Sequence, residues 1–309
     1  MRILLSGVLL LCCALVNAAT KNGFDLTGAL IPENEILSGG PPRDGIPAID
    51  QPKFERVEEA GWLEDSDRLI GIVVDGVAKA YPIQILDWHE IVNDRVGNQH
   101  YAVTYCPLCG TGMVFASNIA DTALVFGVSG LLYNSDVLLY DRNSESLWSQ
   151  ILAKGVTGPF KGVQLPQLPS VHTTFGAWKK KHPGSLVLSR ETGYDRDYGK
   201  GPYGNYEKTR RLYFEVSNKA PKSYHPKERV LGVSAGDQHR AYPFSELSAN
   251  DSASIRASLG DLEFEVIWDE ESQSASAFDR EGKLLPTVTG FWFAWYTFYP
   301  ETEVFKANR

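Results

Sequence analysis

The sequence contains two similar segments, and this likeness limits the folds that the chain can adopt. Residues 70–86 contain Ile-Gly-Ile, Gly, Ala-Tyr-Pro and Leu, and this order returns as Leu-Gly-Val, Gly, Ala-Tyr-Pro and Leu in residues 231–247. Further along, residues 101–127 align without gaps on residues 264–290. We therefore predict an internal repeat of two related units, although two ordinary strand–turn–helix units can also look alike.

Each unit is predicted to be a β-hairpin followed by a short helix and further strands. In the first unit, residues 69–81 alternate on both sides of Asp75-Gly76, a dipeptide that favours tight hairpin turns. Pro82 suits the start of a helix that should run to about Val92. Further strands are predicted at residues 101–105 and 113–116. With 28 glycines, 17 prolines and no long helical periodicity, we predict a β-rich α+β fold, with two related antiparallel β-units packed as one body.

The first residues are typical of a leader for export. Met1-Arg2 gives a short positive start, an apolar run follows over residues 3–16, and Ala18 supplies a small residue at the cut. We expect a signal peptide at 1–18 and a soluble mature chain in the periplasm or outside the cell, since no other stretch reaches the roughly 18 apolar residues of a membrane span. The domain organisation predicted beyond the leader is a Pro-rich N-terminal coil at 19–60, a first β-unit at 61–160, a loop-rich connection at 161–227 and a second β-unit at 228–309.

Beyond the leader the chain has two cysteines, in the run Cys-Pro-Leu-Cys-Gly at residues 106–110. Zinc ribbons and rubredoxin-like sites use such a turn to offer two thiolates to one metal, because Pro fixes φ and Gly lets the chain fold back. The sequence has no second turn of this type, so other residues must complete a metal site. The second unit has Asp269 and Ser272 where the first has Cys106 and Cys109, so the thiols point to function rather than to the fold.

His89 is the leading candidate for a third metal ligand. On the predicted helix it shares a face with Ile85 and Val92, so its imidazole should point inward, and the second unit has Asn250 at the matching position. A core histidine that bonds a backbone carbonyl fits the same pattern. Met113, just past the turn, offers a thioether that would suit copper(I) together with two thiolates, or it is a core residue of its strand. The expected metal is copper(I) or zinc.

Two other interpretations of the cysteine pair stay open. A lone pair in an oxidising compartment is usually a disulfide. A thioredoxin-like pair begins a helix that lowers the thiol pKa, whereas Gly-Thr-Gly follows Cys109 here and disfavours a helix. The candidate functions are therefore a metal-binding protein that uses Cys106, Cys109 and His89, a thiol–disulfide enzyme, and a non-catalytic binding module with a structural disulfide. The sequence identifies no catalytic residue.

A second set of residues combines charged, amide and aromatic side chains. Asp and Arg among aromatic residues suit a cleft for an anionic or sugar-like ligand. They suit equally a buried ion-pair network that holds long loops. The candidates for a ligand cleft are Asn134, Asp136, Asp141, Arg142, Trp148, Arg190, Tyr194 and Arg196.

Long motifs through the mature chain carry a resemblance to one family. They lie at residues 39–50, 88–94, 103–111, 132–136, 140–150 and 192–198. Together they resemble the bacterial and archaeal "domain of unknown function 3179" family. The resemblance covers nearly the whole mature chain and implies no established activity.

Charge and motif content exclude several classes of partner. The net charge of −8 and the pI near 5.3 argue against nucleic acid and anionic membrane surfaces. No nucleotide cofactor is expected, because the sequence has no Gly-rich phosphate loop. The expected partners are a metal ion or a small molecule, and the sequence does not indicate an oligomeric state.

Overall fold

The computed structural model describes residues 20–119 and 122–308, so the predicted signal peptide lies outside the described residues. Strands make up 41% of the chain and helices 11%, which confirms the β-rich class. The α-helices are short: α1 Ile83–His89, α2 Phe175–Lys181, α3 Phe244–Ser248 and α4 Trp292–Phe298. In the part of the chain that the structure describes, no helix has the length and apolar content needed to cross a bilayer.

The described residues form 25 strands. Up to residue 119 they are β1 Thr20–Lys21, β2 Phe24–Asp25, β3 Ile36–Ser38, β4 Phe54–Arg56, β5 Arg68–Val74, β6 Val77–Pro82, β7 Ile91–Val96, β8 Gln99–Cys106, β9 Thr111–Ala116 and β10 Asn118–Ile119. The middle strands are β11 Thr122–Ala123, β12 Phe126–Tyr133, β13 Asp136–Asp141, β14 Leu147–Ser149, β15 Lys154–Gly155, β16 Gln167–Leu168, β17 Val171–Thr174 and β18 Leu186–Leu188. The last are β19 Arg229–Ala235, β20 Gln238–Pro243, β21 Ser254–Leu259, β22 Leu262–Asp269, β23 Ser274–Asp279, β24 Val288–Phe291 and β25 Glu303–Val304.

Four sheets carry the core. The largest has the order β25-β20-β19-β24-β9-β8-β7, with β16 pairing β9 as well. Two five-stranded sheets have the orders β15-β14-β13-β12-β3 and β17-β5-β6-β18-β4, and β21-β22-β23 form a three-stranded sheet. The largest sheet therefore joins strands from both predicted units, because β9 of the first lies beside β24 of the second.

The first hairpin forms where the alternating pattern predicts it. Strands β5 and β6 pair from Leu69 opposite Pro82 to Val74 opposite Val77. Asp75 and Gly76 have φ angles of 48° and 77°, and two consecutive positive φ angles are what a tight two-residue turn requires.

Helix α1 ends three residues before the predicted end at Val92. Pro82 stands at its N-cap, and the C-cap residue Glu90 has a φ of 58°, which takes the chain out of the helix. Ile91 and Val92 then begin β7. β-Branched residues favour strands, and here they pair with β8, so tertiary pairing overrides the helical pattern.

The predicted coil and the predicted connection contain more regular structure than expected. Strand β3 pairs with β12, and β4 pairs with β18. Within 161–227, β17 and β18 flank the β5–β6 hairpin, and α2 lies over it. Gly71 of β5 makes room for this helix, because a Cβ there would lie 2.2 Å from the Trp178 ring. Strands β4, β17 and β18 therefore complete the sheet around the β5–β6 hairpin, and β3 forms the edge of the other five-stranded sheet.

Candidate metal centre

Residues 106–110, the Cys turn, connect β8 to β9. The Cys109 amide donates to the Cys106 carbonyl at 3.1 Å, which closes the turn. Gly110 has a φ of 60°, and a Cβ there would lie 2.8 Å from the Phe291 ring, so glycine is needed for both conformation and space. Both cysteines are buried, and both are free thiols. The structural disulfide that the sequence left open is therefore not what the structure contains.

Asp136 brings a third potential ligand to the two thiols. It begins β13, directly after Asn134 and Ser135, whose φ angles of 54° and 67° turn the chain sharply. One ligand atom from each of Cys106, Cys109 and Asp136 lies within 4.8 Å of the others, and all three residues are buried. We call these three residues the Cys–Asp cluster.

Hydrogen bonds fix the orientation of the Asp136 carboxyl. Its Oδ1 lies 3.1 Å from the Thr111 hydroxyl, and its Oδ2 accepts from the Ile151 amide at 3.2 Å. The Thr111 hydroxyl lies 2.7 Å from Gln150 Oε1. A hydroxyl has one proton, so when Thr111 donates to Gln150, its oxygen is left to accept from a protonated Asp136. Such outer contacts are typical of residues that hold a metal ligand in place.

The cluster retains protons at neutral pH when no metal is bound. Burial raises the pKa of Asp136 to about 7. Burial also raises the pKa of both thiols. That of Cys109 lies well above its usual value because of burial first and then because its neighbours Cys106 and Asp136 are acids as well. A bound cation would replace these protons and remove the repulsion between the ionised groups.

Two further polar groups stand beside the cluster. Glu90 is buried at the end of α1, and its carboxyl accepts a long hydrogen bond of 3.4 Å from the Tyr203 hydroxyl. Burial, with a smaller contribution from the nearby Asp136, raises the pKa of Glu90 to about 8. The Tyr206 hydroxyl is buried with no hydrogen-bond partner among the described residues. Sequence reasoning missed both tyrosines, because no local pattern connects them to residues a hundred positions earlier.

His89 is buried as predicted, but the structure places it outside the Cys–Asp cluster. Its Nδ1 lies 2.7 Å from the Pro47 carbonyl, and its Nε2 lies 2.7 Å from the Tyr198 hydroxyl. Burial lowers its pKa, so the ring is a neutral core histidine with both nitrogens bonded. Asp136 stands in the place that His89 was expected to take.

Met113 lies on β9 and is buried in the same apolar core as the two cysteines. Its backbone carbonyl accepts from the Thr104 hydroxyl at 2.9 Å. The structure therefore has Met113 as a core residue of its strand.

The predicted ligand cleft divides into separate environments. Trp148 Nε1 donates to Asp141 at 2.9 Å, Arg142 pairs with Asp50, and Asn134 accepts from the Ser217 amide at 2.8 Å. These contacts form the ion-pair and hydrogen-bond network that was the alternative to a cleft. Arg190, Tyr194 and Arg196 line a surface cavity of 250 Å³. Asp136, the remaining candidate, lies in the Cys–Asp cluster.

The fold and site define a β-rich protein with a buried pair of thiols beside a carboxyl group. Residues 43–302 match the family described as "Protein of unknown function (DUF3179)", and the chain belongs to that family. The chain is also similar to a UPF0212 protein of Halobacterium salinarum, at 32% identity over 111 residues, which cover 35% of this chain and 80% of that protein. No solved structure matches. Neither description states an activity, so functional inference depends on the site.

Proposed function

We propose that this protein binds one zinc ion through Cys106, Cys109 and Asp136. The juxtaposition of their three ligand atoms within 4.8 Å carries the proposal. Sulfur and oxygen ligands of one tetrahedral zinc lie about 3–4 Å apart. Small side-chain adjustments therefore suffice to bring the three groups to bonding distance.

The third ligand favours one of the two metals that the sequence suggested. Copper(I) prefers soft sulfur ligands, whereas zinc accepts a mixture of thiolate and carboxylate. Asp136 contributes an oxygen, and both ring nitrogens of His89 are bonded elsewhere. The ligand set accordingly favours zinc.

Three protein ligands leave one position of a tetrahedral zinc for water or another molecule. Closed structural zinc sites have four protein ligands, and sites that act on substrates usually have three. Glu90 and the Tyr206 hydroxyl are the polar groups available to bond a molecule at this fourth position, because each is buried and has few hydrogen-bond partners. We propose an exchangeable fourth position beside these two groups.

The thiol–disulfide alternative has less support from the site. A redox-active cysteine needs a lowered pKa, usually from a helix N-terminus or a nearby cation. Here β9 follows the turn, and burial raises the pKa of both thiols. The surroundings therefore disfavour a reactive thiolate in the metal-free protein.

Metal titration tests the proposal. Reduced, metal-free protein is titrated with zinc against a coloured competing chelator, and with copper(I) in a parallel series. We expect one zinc per chain. We also expect the affinity for zinc relative to copper(I) to be higher than that of an all-sulfur site. Uptake of less than about a tenth of an equivalent of zinc would contradict the proposal.

We also propose that the two units are copies of one ancestral repeat. Strands β8 and β9 pair from Tyr101 opposite Ala116 to Cys106 opposite Thr111, and β22 and β23 pair at the corresponding positions from Phe264 opposite Asp279 to Asp269 opposite Ser274. Gly232 lies under Trp295 as Gly71 lies under Trp178, with a Cβ-to-ring distance of 2.2 Å in both. A search for homologues that contain one unit alone, or two more similar units, would test this proposal.

Export is a separate proposal that rests on the leader sequence. The positive start, the apolar run and Ala18 support cleavage near residue 18. N-terminal sequencing of the protein recovered from fractionated cells tests it. Mature protein that begins near residue 19 in the periplasmic or external fraction is expected, and an intact Met1 in the cytoplasmic fraction would contradict it.

A further inference from the structure

A cavity of 170 Å³ lies on the outer side of the Cys turn. Pro107 and Gly110 of the turn contribute to its wall, together with Tyr203 and Tyr206. Its volume lies below the roughly 300–1,000 Å³ of pockets for drug-sized ligands, so it suits a small ion or a small molecule. The cavity therefore places a small ligand next to the turn that holds the two thiols.

Arg68 brings a positive charge to the wall of this cavity. Its guanidinium donates to three backbone carbonyls, those of Ser272 at 2.8 Å, Gln273 at 3.0 Å and His172 at 3.2 Å. It makes no salt bridge with any residue that the structure describes. Carbonyls hold the group in place without neutralising it, so an anion in the cavity would be stabilised there.

A second guanidinium lines the same cavity. Arg229 pairs with Glu207 at 2.9 Å. Burial, and after it the charge of Arg229, lowers the pKa of Arg68 to about 10. Burial lowers the pKa of His172 to about 3, so that ring is neutral, and it raises the pKa of Asp87 to about 7. The cavity has a net positive charge while Asp87 is protonated.

We propose that this cavity binds a small molecule through its carboxylate or phosphate group, with Arg68 and Arg229 facing the negative charge. The anion site stands on these contacts alone. Its further role, as the place where a small anionic substrate approaches the fourth position of the metal, rests on the proposed zinc function.

Calorimetric titration of the full chain with sodium phosphate and with sodium malonate tests the proposal at pH 6.5 and constant ionic strength. One probe is tetrahedral and the other has planar carboxylates, so the two series distinguish the ligand groups. We expect at least one to bind, and Arg229→Gln to weaken that binding by about tenfold or more. Arg280→Gln is the matched control, because Arg280 forms an exposed pair with Glu263. Arg68 is left unchanged, since its contacts tie β5 to the β22–β23 turn.

Two outcomes would overturn the proposal. In the first, wild-type protein binds neither probe at about 10 mM. In the second, Arg229→Gln protein binds a probe as tightly as wild type. Cys106→Ser separates the two proposals. If Cys106→Ser loses zinc uptake and retains anion binding, the result supports the anion site. If the wild type takes up zinc normally but binds no anion, the anion site alone is overturned.

Discussion

Two hairpin turns of this molecule have the same strand pairing and different chemistry. The β8–β9 turn contains Cys106 and Cys109, and the β22–β23 turn contains Asp269 and Ser272 at the corresponding positions. The second turn forms without sulfur, since the Asp269 carboxylate accepts from the Ser272 amide at 3.2 Å. The cysteines are therefore not needed to make such a turn, and their burial beside a carboxyl group calls for another explanation.

The surroundings of the two turns differ as much as their residues do. The Cys turn is covered by β13 and the residues after β14, which supply Asp136 and Gln150. The second turn leaves Asp269 exposed, and its Ser272 carbonyl accepts from Arg68. The comparison teaches that the candidate metal site depends on the covering strands as well as on the turn.

The largest effect should come from the cysteines themselves. Cys106→Ser and Cys109→Ser should each weaken zinc binding by at least about 1000-fold, because each removes a thiolate from a three-ligand site. Competition titration against a chelator measures this. Ser272→Ala, in the corresponding turn, is the matched control and should leave zinc affinity unchanged. An equal loss of zinc affinity in the cysteine variants and in Ser272→Ala would mean that the titration reports protein stability rather than ligation.

Zinc affinity should fall steeply in acid. Burial raises the pKa of both thiols and raises that of Asp136 to about 7. All three groups must lose protons to bind zinc, so lowering the pH from 8 to 6 should weaken binding by about 100-fold or more. Titrations at several pH values in one buffer system measure the slope. An affinity independent of pH across this range would exclude thiol ligands.

Asp136→Asn should have an intermediate effect. The amide keeps the shape of the side chain but loses the charge, so zinc binding should weaken by about 10- to 100-fold. Asp269→Asn provides the control in the second turn, where the exposed carboxylate has no metal role. If Asp136→Asn binds zinc like wild type, Asp136 is not a ligand, and the two turns differ in metal binding through the cysteines alone.

The metal-free protein should lose stability as the pH rises through the range where Glu90 ionises. Burial raises the pKa of Glu90 from 4.5 to about 8. Between about pH 5 and 8 the folded state keeps a proton that the unfolded chain has released, so stability decreases with increasing pH. Glu90→Gln should flatten this slope and add about 1–3 kcal/mol at pH 8.

Urea unfolding of wild type, Glu90→Gln and the exposed control Glu271→Gln at pH 6 and pH 8 measures the effect. The Glu271 variant should follow wild type. A wild-type protein that is more stable at pH 8 than at pH 6 would contradict the assigned direction.

The smallest effect on metal binding should come from His89. His89→Asn should change zinc affinity by less than about threefold, because both ring nitrogens bond to other groups. It should instead lower the melting temperature of the metal-free protein, since Tyr198 and Pro47 lose a buried partner. A loss of zinc affinity at an unchanged melting temperature would restore His89 as a ligand.

Local patterns predicted the parts of the fold that local chemistry decides. The β5–β6 hairpin formed around Asp75-Gly76, and the Cys turn lies between β8 and β9 as the alternation of both strands indicated. The end of α1 was mispredicted, because Glu90 leaves the helical region and Ile91 pairs with Thr104 instead. Such pairing joins residues that no local window contains.

The candidate site was predictable in its sulfur ligands but not in its third ligand. The spacing of Cys106 and Cys109 predicts a paired site, whereas Asp136 reaches it through the β12–β13 turn. The sequence placed Asp136 in a ligand cleft and His89 in the metal site. Helical periodicity correctly predicted that His89 points inward, but it does not show which interior group a side chain meets, and no periodicity argument covered Asp136.

X-ray absorption at the zinc edge tests the central claim most directly, because it counts the atoms bound to the metal. For the zinc-loaded wild-type protein we predict two sulfur atoms at about 2.3 Å and the remaining ligands as oxygen at about 2.0–2.2 Å. A first shell of four sulfurs, or one without sulfur, would contradict a site built from Cys106, Cys109 and Asp136.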